Sequence, residues 1–195
     1  SIASDDKKSV KGTTRVLVIL VAGLCVVTMT FAPEVIRVFA GKKYMDAIYV
    51  IPPVAASVFF IFLYSLFSTI EYYYQKTGFI AIATCICAVA NLILNYIFIN
   101  IYGYYAAGYT TVVCYIGLAY LHYFFYRKVS REEDCGNLYD GKLCVTLSVT
   151  VLAVMLIMAL TYQYSWVRYG FFMLVIAMTA IFRNQIKDTI VSFRK

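Results

Sequence analysis

Asn91 and Asn95 stand four residues apart, so a helix carries both on one face. They lie in a stretch, Thr77 to Tyr126, of 50 residues without a Lys, Arg, Asp or Glu. Carboxamides in such surroundings either line a polar path or a gate, or tie two helices together. The single histidine, His122, is the side chain that titrates near neutral pH. It is the candidate for carrying a proton, although its neighbours Tyr123 and Tyr126 also suit a position at a membrane interface. Glu71 and Lys76 flank a short tyrosine-rich connection, which reads either as a gate or as a solvated loop with aromatic anchors. Glu34 and Arg37, three apart, suit a local salt bridge; a gate or an ion-coupling pair is the alternative. Lys42 and Lys43 follow in the next loop, as a contact for an anion or as plain loop. Pro52-Pro53 removes two backbone donors and is a hinge candidate, or a static bend near a helix start.

None of these residues forms a catalytic set. The sequence lacks G-x-S-x-G, H-E-x-x-H and a phosphate-binding loop, so no enzyme activity is expected. Glu132-Glu133-Asp134 adjoins Arg127, Lys128 and Arg131 and reads as solvated charge. The six cysteines include no C-x-x-C pair. Neither a metal site, nor a disulfide framework, nor a cofactor is expected; the cysteines read as small buried apolar groups.

The elements that must position these residues follow from the distribution of charge. Hydrophobic residues make up 63% of the 195-residue chain and charged ones 14%, against about 25% charged in soluble domains. Mean hydropathy is +0.78. Ala47 to Ile70 and Leu143 to Val167 are also free of charge, over 24 and 25 residues. A bilayer core takes roughly 20 apolar residues per helix. The longest uncharged stretch must therefore turn, at Asn100 to Tyr104 with Gly103. The expectation is an all-α polytopic transmembrane bundle of about six spans: 15–38, 46–70, 78–100, 104–126, 143–163 and 166–183. Residues 1–14 read as a cytoplasmic loop and 184–195 as an amphipathic cytoplasmic tail.

Thirteen of the 17 Lys and Arg fall on one side of this topology, among them Lys7, Lys11, Arg15, Lys76, Arg127 and Lys142. Arg37, Lys42, Lys43 and Arg168 fall on the other. The positive-inside rule makes the first side, and both termini, cytoplasmic. The net charge of +7 is accounted for by this bias, and nucleic-acid binding, which needs a basic soluble face, is not expected. Many tyrosines cluster near the span ends, where amphipathic rings favour the headgroup region.

Three segments then carry a family resemblance. Ala32-Pro33-Glu34-Val35-Ile36-Arg37-Val38-Phe39-Ala40-Gly41-Lys42-Lys43-Tyr44, with Ala47 after it, resembles the family pattern "APE-I--F-G--Y--A". Asn91-Leu92-Ile93-Leu94-Asn95-Tyr96-Ile97-Phe98-Ile99 is similar to "N--LNY--I". Tyr102-Gly103-Tyr104-Tyr105-Ala106-Ala107-Gly108-Tyr109-Thr110-Thr111 is similar to the "-G--GAA-AT" turn, with Ala107-Gly108 where many relatives read Gly-Ala. The family is that of the polysaccharide-biosynthesis flippases, within the superfamily that includes the multidrug and toxin extrusion transporters. The resemblance covers about half the chain, and the last two spans fit by order only.

The resemblance implies the C-terminal part of a transporter of twelve to fourteen spans in two lobes, with the N-terminal half of the same polypeptide missing. It implies export of lipid-linked oligosaccharide, a sugar on polyprenyl diphosphate, across the bacterial cytoplasmic (inner) membrane by alternating access. Membrane lipid and a coupling cation would be the other partners, and Lys76, Lys42 and Lys43 the groups to meet diphosphate. A cation-coupled drug exporter would require an acidic residue deep in the bundle, and the spans are expected to hold none. A membrane-embedded glycan polymerase or acyltransferase would need a large outer loop. A non-transporting scaffold subunit is the remaining alternative.

Overall fold

The computed structural model describes residues 2–133 and 135–181, so the expected tail, 184–195, lies outside the described residues. Six α-helices account for nearly all of them: α1 (Ile2–Phe39), α2 (Ile51–Tyr73), α3 (Thr77–Tyr102), α4 (Ala106–Glu132), α5 (Gly141–Thr161) and α6 (Ser165–Ile181). A 3-10 segment, Lys42–Tyr49, joins α1 to α2. Among the described residues there is no strand.

The long uncharged stretch turns where expected. Gly103 takes φ +76°, a left-handed conformation that glycine adopts without strain, and α3 ends there. Four helices, α1 (from Ser9), α2, α3 and α5, are long and apolar enough to cross a membrane. Six helices stand where six spans were expected, and on length and composition four of them qualify as spans. The described α6 is only 17 residues long, and α4 mixes tyrosines, His122 and a basic last stretch into its apolar run.

Two boundaries depart from expectation. Residues 2–14, read from their charge as a loop, continue α1. That helix has 38 residues, about 57 Å at 1.5 Å per residue, well beyond the roughly 30 Å of a hydrocarbon core. Polar composition marked where the apolar surroundings end, not where the helix ends. Likewise, α2 starts at Ile51, so Pro52 and Pro53 fall in its first turn. The first four N–H groups of a helix have no intrahelical partner in any case. Neither proline therefore removes a helical bond, so the hinge read from them has no missing bond to rest on, and both lie near the helix start, as the alternative had it.

The proline that does cost a bond is Pro33, inside α1. It cannot donate to the Met29 carbonyl four residues back. Tyr162, at the end of α5, donates its hydroxyl to that carbonyl at 2.6 Å. Arg168 of α6 donates to the next one, Thr30 O, at 3.1 Å. Tyr162 thus supplies the donor that the proline removed, as apolar surroundings demand.

The core lies between α1, α2, α4 and α5, built from Val18, Met29, Phe59, Leu63, Phe67, Val129, Val151 and Met158. α2 is its centre and packs along α4. Gly108 permits their close approach: a Cβ there would sit 2.9 Å from Pro53 Cγ. α3 lies on the rim, packed mainly on α4, and Ala83 is the one buried residue among its described positions.

Candidate functional site

The end of the bundle rich in Lys and Arg is held by ion pairs between elements. Lys76, in the α2–α3 connection, bridges Glu132 and lies 3.2 Å from Glu133. Hydrogen bonding to Glu132, then to Glu133, raises the Lys76 ammonium above its ordinary pKa, and the same bond lowers the Glu132 carboxyl. Arg15 grips Asp140, which also caps α5 by accepting from Leu143 N at 3.3 Å. The Arg15 bond is the main cause that lowers the Asp140 carboxyl below its usual value. Lys76 is thus occupied by carboxylates of its own chain.

At the opposite end, the Glu34–Arg37 salt bridge expected from spacing is replaced by one across helices. Arg168 of α6 donates to Glu34 from Nη1 and Nη2, at 2.8 and 2.9 Å. Tyr169 adds its hydroxyl to the same carboxylate at 2.7 Å. Arg168 is buried, and a buried guanidinium needs a carboxylate in fork geometry. Arg37, Lys42 and Lys43 are exposed.

Asn91 and Asn95 do share a face, and they use it to join α3 to α4. Asn95 Nδ2 donates to Asn91 Oδ1 at 2.9 Å. Thr110 donates its hydroxyl to Asn95 Oδ1, and Asn91 Nδ2 reaches Thr111 Oγ1 at 3.5 Å. Both readings of the pair meet here, because the same residues line a groove of about 360 Å³ with Thr84, Thr111, Cys87 and Tyr115. The groove mixes these polar groups with apolar ones such as Ala88, Leu92 and Leu118.

The arrangement that sequence reasoning missed is between Glu71 and His122. Glu71, taken as loop-flanking, is inside α2 and fully buried. His122, on α4, is fully buried too, and its Nδ1 lies 2.8 Å from Glu71 Oε1. Tyr64 lies against the imidazole, with ring centroids 5.6 Å apart. Glu71 Oε2 and His122 Nε2 have no protein partner. The last turn of α2 thus holds a buried acidic residue, just past residue 70, where the expected span ended. The signal lay in two distant positions, each ordinary by itself, which α2–α4 packing brings together.

Four cysteines, Cys25, Cys114, Cys135 and Cys144, are buried, while Cys85 is exposed on α3. Among the described residues no cluster of His, Cys, Asp or Glu could hold a metal ion. None of the family models, curated proteins or solved structures compared with the chain matches it.

Proposed function

We propose that the chain forms the rear part of a flippase that moves lipid-linked oligosaccharide or polysaccharide repeat units across the bacterial cytoplasmic membrane by alternating access. The observation that carries this reading is the Asn91–Asn95–Thr110–Thr111 network beside its groove. Hydroxyls and carboxamides are the groups that exchange hydrogen bonds with sugar, and a groove that offers them on a rim helix suits a cavity completed by a second lobe. The three sequence segments that resemble the flippase family support it as well. No covalent step is required of the protein.

The test uses a strain lacking the full-length gene, complemented with Asn91→Ala, Asn95→Ala or the pair. Surface polysaccharide falls at normal protein level if the network lines the path. Unchanged polymer removes these residues from it, and failure of the wild-type gene to restore polymer sinks the flippase reading.

A cation-coupled exporter of the same superfamily is the second reading, favoured by the buried Glu71–His122 pair. Ionisable residues inside a span are costly and belong to ion or proton pathways by default. Drug efflux that depends on a proton gradient and is lost in Glu71→Gln would support it over the first.

A further inference from the structure

Between α2, α4 and α5 runs a narrow crevice of about 210 Å³, walled by Leu63, Phe67, Ala119, Cys144 and Leu152. Its one serine, Ser148, turns its hydroxyl back to the Cys144 carbonyl at 2.8 Å, so the wall presents hydrocarbon. At the basic end the crevice runs into a wider mouth of about 700 Å³, and the two share Tyr123, Gly141 and Val145. Gly141 keeps the junction open. A Cβ there would lie 2.8 Å from Tyr123 Oη and drive that ring aside.

The mouth holds Lys11, Arg127 and Lys142 against one carboxylate, Asp140. Asp140 is already engaged by Arg15. Arg127 donates to the neutral Asn137 at 2.8 Å, and among the described residues neither Lys11 nor Lys142 makes an ion pair. A cationic mouth above an apolar crevice is complementary to an anion bearing a hydrocarbon chain.

We propose that this groove is a binding site for an anionic phospholipid of the surrounding bilayer. The phosphate sits among Lys11, Arg127 and Lys142, where cations bind it as point charge and fork. One acyl chain enters the crevice, each buried methylene contributing about 0.8 kcal/mol. A free phosphate fits the mouth but leaves the crevice empty. The site does not depend on what the protein transports, and it is distinct from the Asn91 groove on the far side of α4.

Native mass spectrometry of the purified full chain, offered phosphatidylglycerol or phosphatidylcholine, tests the site. Phosphatidylglycerol is retained by the wild type. Retention falls at least tenfold in the double variant Lys11→Gln, Lys142→Gln. It falls also in Val145→Trp, which fills the junction from an exposed position with every charge intact. Glycerol phosphate at the same concentration does not displace the lipid. Equal retention of phosphatidylcholine, wild-type retention in Val145→Trp, or full displacement by glycerol phosphate each overturns the proposal. Unaltered melting temperatures in the two variants separate lost binding from lost folding.

Discussion

Glu71 and His122 meet at 2.8 Å with both side chains completely buried. The two residues are 51 apart in sequence and come from α2 and α4, the pair of helices at the centre of the bundle. The contact is between a carboxyl group and an imidazole in apolar surroundings, where a net-neutral pair is favoured over any state that strands one charge. Oε2 and Nε2 remain without protein partners, so the pair is held by a single bond.

Removing one member leaves the other unpaired. Glu71→Ala or His122→Ala is expected to destabilise the chain by about 3–5 kcal/mol. Glu71→Leu combined with His122→Phe recovers most of that loss, because no buried polar group is left without its partner. Thermal unfolding in detergent measures the difference; equal losses in the single and double variants would count against a coupled pair.

The bond that Pro33 removes from α1 predicts a double-mutant cycle. Tyr162→Phe leaves the Met29 carbonyl without its hydroxyl donor and costs about 1–3 kcal/mol. In a Pro33→Ala background, residue 33 supplies its own N–H, and the same tyrosine change costs much less. Additive losses in the cycle would mean that Tyr162 acts through its packing alone.

Gly108 and Gly117 both lie on α4 but have opposite surroundings. Gly108→Ala places a methyl 2.9 Å from the stiff ring of Pro53 and is expected to cost about 1–3 kcal/mol by overpacking. Gly117→Ala meets nothing within 4 Å and gains up to about 1 kcal/mol of helix propensity. Melting temperatures of the two variants should move in opposite directions.

The Lys76–Glu132 clasp depends on pH at both limits. The lowered Glu132 carboxyl contributes stability above its ordinary value of 4.5 and loses it as pH falls through the lowered one. The raised Lys76 ammonium contributes below 10.5 and loses its contribution as pH rises through its own raised value. The clasp is therefore constant across neutral pH and opens in acid and in strong base. Proteolysis of the connection after α4, followed against pH, should accelerate at both limits, and Lys76→Gln should reduce that acceleration at each.

Much of the fold was legible because charge cannot be spread freely through an apolar medium. The turn at Gly103 was found because 50 uncharged residues exceed one span. The ends of α1 and α2 were misread for one reason: hydropathy reports the solvent around a helix, whereas the helix itself continues or stops according to prolines, glycines and caps. Pro33 was quoted in a motif, yet the side chain that offsets its missing bond, Tyr162, lies far along the chain. At the candidate site, the Asn91–Asn95 relationship is local and needs only helical spacing, so it was visible at once.

By itself the sequence determined the apolar character of the surroundings, the helical class, the number of helices, and the asymmetry of basic residues between the two ends. These depend on composition and on short-range periodicity. Tertiary structure decided the partners: Glu34 with Arg168 and not Arg37, Lys76 with Glu132, and Glu71 with His122. A charge placed in an apolar bundle must find its complement wherever the packing of helices delivers one, and the faces that α2, α4 and α6 present to their neighbours follow from packing along their whole length, not from the spacing of any two residues.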